Sequence, residues 1–420
     1  MKKPLVTFYW IALIVATLIG FIGLGDRFVN GHLHANYGSI VTWGLWVALY
    51  IYFIGLSAGA FLISALVYVF RVKKFEAVGR LALFTALITL IAALLHIWID
   101  IGHMGRAWKI IFQPQFGSVM MWMVWMYTAY FILTLAETWF LMRRDFAKGA
   151  NEGSFKGALY KVLSLGRRDI SDESAAHDLK VVRVLGTIGV PLAIAFHGGV
   201  GALFGVIAAR PYWHSGMFPI MFLVGALASG GALLAFTVAF FFRMEPERKK
   251  ELVTALGTLV LGLLALDLIM FFAETSIGMY SGVPGHTSVF EVILSGPYWW
   301  VNWIVQFGMG MVIPIILLSL SQTRRSIGWV GLACFLVVIS FIAVRLNIVI
   351  PQLTVPELEG IPTAYSDSRL TTDYFPSLME WLASVGIVGL CTIFFTLGYQ
   401  LLPLQREETA HFELEGTPAD

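Results

Sequence analysis

The chain has 420 residues, of which 58% are hydrophobic and only 13% are charged, and its formal net charge is +2. Soluble domains carry roughly a quarter charged residues, and one soluble core cannot bury the many apolar segments of about 20 residues found here. The composition therefore excludes a soluble enzyme, a nucleic-acid-binding protein and a disordered protein. It predicts an all-α integral membrane protein that crosses a bilayer repeatedly.

Ten apolar segments predict ten transmembrane helices in a single membrane domain, 1–420. In chain order they are 5–25, 41–70, 81–101, 118–141, 181–207, 217–242, 252–279, 297–320, 327–350 and 377–402. The second segment is longer than the roughly 20 residues that span a bilayer, which predicts a tilt or an extension beyond the hydrocarbon. No small-residue cleavage site follows the first segment before Asp26 and Arg27, so we expect a helix there and not a cleaved signal.

Basic residues are distributed unevenly between the two sides that these helices define. With the N-terminus placed inside, 22 of the 28 Lys and Arg residues lie inside, many of them in the loop 142–180. The outer loops are instead poor in Lys and rich in Trp, His, Pro and Gly. The positive-inside rule then predicts both termini, including the tail 403–420, in the cytoplasm of a bacterium or archaeon.

A small-residue pattern recurs four helices apart. It is LSAGAFL at 56–62 in the second helix and ASGGALL at 228–234 in the sixth. Small residues allow helix backbones to approach closely in lipid. The spacing predicts a parallel repeat of two four-helix bundles, 41–207 and 217–350, with peripheral helices in the flanking segments 1–40 and 377–402.

Ionisable side chains within the predicted helices are candidates for a functional site, because a charge in hydrocarbon is costly. They are His96, Asp100, Glu137, His197, Asp267, Glu274, Arg345 and Glu380. Glu137 precedes Arg143 and Arg144 near the inner end of its helix, and we interpret it as a member of an ordinary interfacial ion pair.

The outer end of the third helix combines several of these groups. His96 and Asp100 are four residues apart and share a helix face, and the spacing predicts that His103 and Arg106 continue it. A carboxylate, two imidazoles and a guanidinium suit a quinone head group, because its carbonyl oxygens need donors and the quinol needs acceptors for two protons. The alternative is a buried Asp–Arg pair that closes the helix.

A second group lies deeper, in the predicted second bundle and beside it. Asp267 and Glu274 are seven residues apart on one helix face, and they could relay protons with His197 or form structural pairs with Arg345. This group leaves open a proton or ion translocator. A secondary transporter or ion channel without a redox role is a further alternative, although the predicted repeat is parallel and not inverted.

The chain offers few ligands for a redox centre of its own. Its two cysteines, Cys334 and Cys391, cannot supply the four thiolates of an iron–sulfur cluster. His96 and His197 lie about five residues apart in depth, roughly 7 Å at the helical rise, and do not form matched haem ligands. We therefore expect no metal, haem or iron–sulfur cluster bound by this chain.

Three stretches resemble the NrfD/polysulfide reductase membrane-subunit family, in its ten-helix branch. They are the Gly- and aromatic-rich second helix (TWG at 42–44 and GLSAG at 55–59), the DIG sequence at 100–102 followed by Arg106 and Trp108, and the run HGG at 197–199 to ARPYWHS at 209–215. His103 stands where the family usually places Arg. The resemblance covers nearly the whole chain.

The resemblance implies a cofactor-free membrane anchor that exchanges electrons with a quinone, usually menaquinone. It implies partners at the outer, periplasmic face: a ferredoxin-like [4Fe-4S] subunit and, through it, a molybdopterin enzyme, a hydrogenase or a multihaem cytochrome. By residue match, Asp100, His103 and Arg106 are the expected quinone-site residues, with Trp43 and Trp122 as walls. His32 and His34 join them by position only.

Overall fold

The structure is a computed structural model that describes residues 3–358, 360–364, 366–367 and 369–405. Across these ranges it contains ten helices long and apolar enough to span a membrane, and it has no strand. The predicted all-α class and the ten spans are confirmed. Lys2, Arg406 and the tail from 406 onwards, which the topology prediction used, fall outside the described residues.

The ten long helices are labelled α1 to α10 in chain order. They are Lys3–Asn30, Leu45–Tyr68, Gly79–Asp100, Val119–Gly149, Asp172–Gly205, Phe218–Phe240, Pro246–Tyr280, Val301–Ser319, Ile327–Thr354 and Leu378–Leu401. Short helices lie between them at Lys73–Val78, Met104–Arg106, Lys109–Phe112, Phe155–Leu163, Pro284–Leu294, Ser321–Arg324 and Ile361–Ala364.

Three of the helices that extend beyond the predicted apolar segments do so into charged turns. Helices α4, α5 and α7 have 31, 34 and 35 residues, whereas about 20 cross the hydrocarbon. Their extra turns are charged, and no proline or glycine interrupts the join between the charged and apolar parts. We call the end that carries these turns the basic end, and the opposite end, with the loops 31–44, 101–118 and 206–217, the aromatic end.

Helix α2 lies at the centre of the molecule. In its most apolar window 89% of residues are buried, against 11% in α1, which faces outward. Helices α2 to α5 pack around one another, α6 to α9 do the same, and α1 pairs with α10 beside α3. The proposed division into a first bundle, 41–207, and a second, 217–350, stays a prediction about domain limits.

The two small-residue patches seen in the sequence meet where α2 crosses α6. A Cβ placed on Gly59 would lie 2.1 Å from the Ala226 carbonyl oxygen, and one on Gly230 would lie 2.6 Å from the Ala60 backbone nitrogen. Only glycine allows two helix backbones to approach this closely. The repeated pattern therefore forms one shared contact at the centre of the fold.

Two helices have features that periodicity did not predict. The first part of α8, Val301–Val312, is a π-helix, a rare form that often occurs at functional sites. Helix α10 begins with a capping box, in which the Ser377 Oγ accepts from the Glu380 amide and the Glu380 carboxylate accepts from the Ser377 amide. This cap gives the buried Glu380 a structural role.

Candidate functional site

Helix α3 ends at Asp100 because Arg27 of α1 binds the carbonyl oxygens there. The Arg27 Nε donates to the Ile99 carbonyl at 2.5 Å and its Nη2 donates to the Ile101 carbonyl at 2.8 Å. These bonds satisfy oxygens that a helix end leaves without partners. Arg27 is only 3% exposed, and among the described residues it forms no ion pair within 4.0 Å with Asp100.

Four polar atoms near this helix end are buried without a hydrogen-bond partner in the described part of the chain. They are Asp100 Oδ1, the Tyr37 hydroxyl, His32 Nε2 and His96 Nε2. The His32 ring centre lies 5.4 Å from the Tyr37 ring and 5.8 Å from the ring of Trp46. Buried polar atoms are nearly always paired in proteins. Tyr37 and His32 lie close enough to Asp100 to interact with it, and a polar group from outside the chain would complete the pairing of these four atoms.

His96 lies one helical turn deeper than Asp100 and is fully buried. Its Nδ1 donates to the Ala92 carbonyl at 2.8 Å, and its ring stacks on Phe53 with centres 5.3 Å apart. With the proton held on Nδ1, the free Nε2 of the neutral ring is a hydrogen-bond acceptor.

Two groups of the loop that precedes α2 remain uncharged near neutral pH. Burial lowers the pKa of His32, and the positive charge of Arg27 lowers it further. Burial raises the pKa of Tyr37 well above its usual value, and the negative charge of Asp100 adds to this. The loop therefore presents a neutral imidazole and a phenol O–H beside the Asp100 carboxyl.

A network around Glu380 holds this loop in place. The Tyr374 hydroxyl and the Asn36 amide donate to the Glu380 carboxylate, the latter at 2.9 Å. The Leu45 amide, in the first turn of α2, donates to the Tyr374 hydroxyl at 2.8 Å, and the Trp46 Nε1 donates to the Glu380 carbonyl at 3.1 Å. Tyr37, next to Asn36, packs its ring against Trp46 and Tyr374 of this network.

An apolar cluster separate from the main core adjoins the Asp100 site. Its buried members are Trp46, Ala92, Ile99, Ala383, Ile387 and Cys391. Tyr37 and Phe53 pack against this cluster, so polar atoms without partners and an apolar surface lie side by side. This combination matches an organic ligand with a polar head, whereas no group of metal-binding residues occurs in the described ranges.

A second set of polar groups lies at the centre of the molecule, around Arg345 of α9. Its guanidinium carbon lies 4.6 Å from the centre of the Phe222 ring, and a Cβ on Gly225 or Gly55 would lie 3.1 or 3.6 Å from its Nη2. Arg345 is 2% exposed and His197 is fully buried, with no partner for either His197 ring nitrogen among the described residues.

Other buried polar atoms of the second bundle lack partners too, again counting only the described residues. They are Asp267 Oδ2, both side-chain polar atoms of Asn302 and Ser340 Oγ. Asp267 forms no ion pair with Arg345 within 4.0 Å. Glu274, nearer the aromatic end, accepts from the Ser215 hydroxyl at 3.2 Å, so the two acids of α7 have separate surroundings.

The predicted continuation of the Asp100 face to His103 and Arg106 is wrong. The chain leaves the helix at Ile101 with extended backbone, φ −62° and ψ 127°, and both side chains lie exposed beyond it. The buried cation beside Asp100 is Arg27. His34 is also exposed, and it bonds to Asp26 at 2.7 Å.

The two tryptophans expected to form walls lie elsewhere. Trp43 stacks on Trp213 with ring centres 5.7 Å apart and contacts Phe204 edge-on. Trp122 is 47% exposed and packs against Phe116. Trp46, three residues after Trp43, is the tryptophan that borders the Asp100 site.

The interpretation of Glu137 as an ordinary interfacial pair is also wrong. Arg143 binds Asp178 at 2.6 Å, and Arg144 binds Asp172 at 2.6 Å. Glu137 is 1% exposed, and neither of its carboxylate oxygens has a partner among the described residues.

Comparison with known proteins identifies the family. A profile described as polysulphide reductase, NrfD matches residues 34–357. The chain belongs to the NrfD family. It is 39% identical to a selenate reductase subunit of Mesobacillus selenatarsenatis, over 98% of this chain and 97% of that protein.

More distant NrfD-family relatives also align over most of their length. The Hdr-like menaquinol oxidoreductase integral membrane subunit of Archaeoglobus fulgidus is 28% identical, over 89% of this chain and 88% of its own. The menaquinone reductase integral membrane subunit of Nitratidesulfovibrio vulgaris is 25% identical, over 94% and 88% respectively.

The NrfD profile covers only part of the Asp100 site. Its limits, 34–357, include Tyr37, Trp46 and Asp100 but leave out Arg27 on α1 and Glu380 on α10. Sequence reasoning missed Arg27, Tyr37 and Trp46 as members of one site. The sequence contained a sign that Arg27 is unusual. It is a basic residue just beyond the first predicted helix, on the side of the membrane that was predicted to be poor in lysine.

Proposed function

We propose that this chain is the quinone-reactive membrane subunit of a respiratory oxidoreductase complex, with the quinone head group bound at the Asp100 site. The observation that carries the proposal is the set of four buried, unpartnered polar atoms at this helix end, beside a separate apolar cluster. A quinone has the matching chemistry, because its carbonyl oxygens accept hydrogen bonds and its isoprenoid tail is apolar.

Each residue of the site has a role in this proposal. The Tyr37 hydroxyl and the neutral His32 ring bind the head-group oxygens, and the Asp100 carboxylate accepts a proton when quinol is oxidised. Arg27 holds the end of α3 through the Ile99 and Ile101 carbonyls. Quinone supplies the two-electron chemistry, and the protein supplies position and proton transfer.

The names of the relatives support a redox function over a transporter or channel. One is named as a menaquinol oxidoreductase membrane subunit, one as a menaquinone reductase membrane subunit and one as a selenate reductase subunit. We propose menaquinone as the quinone and a ferredoxin-like [4Fe-4S] subunit as the partner at the aromatic, periplasmic end. Through it electrons reach a catalytic subunit with molybdopterin, a hydrogenase or a multihaem cytochrome.

The proposed setting is the cytoplasmic membrane of a bacterium or archaeon with both termini cytoplasmic. Its support is the concentration of basic residues in the loops of one end, because such loops remain on the cytoplasmic side. The exposed apolar residues on α1 and the outward faces of the other helices then contact membrane lipid.

Photolabelling with an azido-menaquinone analogue tests where the head group binds. We expect light-dependent labelling of the purified chain in the segment 27–46 or 96–104, competed by unlabelled menaquinone. Tyr37→Phe, which removes one donor, should weaken the competed labelling by about tenfold, since a lost hydrogen bond to a buried group costs roughly 1–3 kcal/mol.

A matched variant is Tyr280→Phe, because Tyr280 is 92% exposed and lies far along the chain at the end of α7. It should label as the parental chain does. Competed labelling confined to the second bundle, or none at all, would contradict the proposed site.

Proton translocation through the second bundle is a second candidate function, with His197, Asp267, Glu274 and Arg345 as the path. The observation in its favour is the group of unpartnered polar atoms on His197, Asp267, Asn302 and Ser340. Buried polar atoms of this kind bind ordered water, and ionisable groups inside a membrane mark proton routes.

The number of protons moved per electron tests this second function in vesicles that contain the intact complex. Asp267→Asn should reduce the ratio to that of quinone chemistry alone while electron transfer continues. Glu251→Gln, on the exposed charged turn of the same helix, is the control. An unchanged ratio in Asp267→Asn would exclude Asp267 from a proton path.

A further inference from the structure

Glu137 of α4 is a buried acid that neither function above uses. It lies in the first bundle, toward the basic end, with its Oε1 3.4 Å from the position of a Cβ on Gly186 of α5. A bulkier residue than glycine at 186 would also meet Val69, with a Cβ only 2.8 Å from the Val69 Cγ2. The carboxylate therefore lies in a space between α2, α4 and α5 that the glycine leaves open.

Polar side chains on α2 follow a seven-residue spacing that points to the same space. Tyr50, Ser57 and Ser64 lie on one face of the helix, two turns apart each time. All three are buried, and Ser57 and Ser64 are fully so. Along the helix they extend over roughly 21 Å at 1.5 Å per residue, about two thirds of a hydrocarbon core of about 30 Å.

Helix α4 provides a matching row. The hydroxyls of Tyr50 and Tyr127 form a hydrogen bond, and the Ser57 hydroxyl lies 3.3 Å from the Tyr130 hydroxyl. Tyr130 also lies beside Thr134, one turn before Glu137. We call this row, from the Tyr50–Tyr127 pair to Glu137, the hydroxyl seam.

The seam is fully paired at one end and unpaired at the other. Ser57 donates to the Ala86 carbonyl at 2.7 Å, so the hydroxyls near the centre have protein partners. Ser64 Oγ and both carboxylate oxygens of Glu137 are buried with no partner in the described part of the chain. Ordered water is the usual partner of buried polar atoms that the protein leaves unpaired, and the space at Gly186 suits it.

Few charges surround Glu137. Arg143 and Asp178, which lie toward the basic end, bind each other. Arg183, one turn before Gly186 on α5, has a buried Nε with no hydrogen-bond partner in the described part of the chain, but it forms no ion pair with Glu137 within 4.0 Å. Helix α3 has no charged residue between 81 and 95. A proton is therefore the simplest partner that neutralises this carboxylate in the bundle.

We propose that the hydroxyl seam is a hydrated proton half-path, open to the basic end, in which Glu137 binds and releases protons and Thr134, Tyr130 and Ser57 relay them. The path stops at the Tyr50–Tyr127 pair, so it exchanges protons with one side of the membrane without forming a leak across it. It uses none of the residues of the Asp100 site.

Infrared difference spectroscopy of the full chain in lipid vesicles, without quinone, tests the half-path. After a jump in bath pH, the parental spectrum should contain a carboxyl band that changes reversibly. Glu137→Gln should abolish that band. Ser64→Ala combined with Thr134→Val keeps the acid but removes two hydroxyls, and it should slow the response about tenfold, the effect of roughly one lost hydrogen bond.

Thr128→Val is the matched control on α4, because its hydroxyl bonds to the Val124 carbonyl of its own helix. It should respond as the parental chain does. Two results would overturn the half-path. One is a pH-dependent carboxyl spectrum that does not change in Glu137→Gln. The other is a response that stays as fast as before in the variant that combines Thr134→Val with Ser64→Ala. Because no quinone is present, failure here leaves the Asp100 proposal untouched.

Discussion

Asp100→Asn should lower menaquinol-linked electron transfer by the intact complex about 100-fold or more, with the subunits still assembled. Asparagine keeps the size of the side chain but cannot accept a proton, and a positioned acid or base contributes roughly 10²- to 10⁴-fold to a rate. Arg27 holds the helix end through backbone carbonyls and not through the carboxylate, so the local structure should persist. Steady-state turnover with a menaquinol analogue measures the effect.

His103→Ala and Arg106→Ala are the controls for this result. Both side chains are exposed beyond the end of α3, so turnover should remain near the parental value in each. If Asp100→Asn also turned over at the parental rate, the carboxylate would have no part in quinol oxidation.

Gly59→Ala and Gly230→Ala should each destabilise the whole molecule by more than about 3 kcal/mol, the upper part of the range for overpacking. The added Cβ would lie 2.1 Å and 2.6 Å, respectively, from backbone atoms of the opposite helix. Backbone atoms inside two packed helices cannot move aside as a flexible side chain can. The midpoint of thermal unfolding of the purified chain, together with the yield of monodisperse protein, measures the loss.

Gly262→Ala is a matched control on α7, where no atom lies within 4 Å of the added Cβ. It should leave the midpoint unchanged or raise it slightly, because alanine favours a helix over glycine by about 1 kcal/mol. Equal midpoints for Gly59→Ala and the parental chain would show that α2 and α6 do not cross at these glycines.

Long apolar segments made the membrane architecture predictable. The repeated small-residue pattern predicted a parallel repeat of two four-helix bundles, and that division stays a prediction. The pattern did not show that the two patches contact each other, because similarity between two segments of sequence does not show that they lie close together in the fold. The positions of the helix ends were less predictable than the number of helices. The spans were read from apolar residues, whereas α4, α5 and α7 continue into charged turns that remain helical.

The composition of the candidate site was only partly predictable. Asp100 and His96 were found because charges are rare in hydrocarbon. Arg27 and Tyr37 were missed as their partners because they approach from another helix and a loop, 73 and 63 positions away in sequence. Extending helical spacing past residue 100 placed His103 and Arg106 on a face that ends where Arg27 caps the carbonyls.

A structure of the intact complex with bound menaquinone tests the central claim most directly. We expect a head-group oxygen within hydrogen-bond distance, about 3 Å, of the Tyr37 hydroxyl or the Asp100 carboxyl, with the tail along the cluster that contains Trp46 and Ile387. A head group bound instead beside Arg345 between the two bundles, or held by a partner subunit alone, would contradict it.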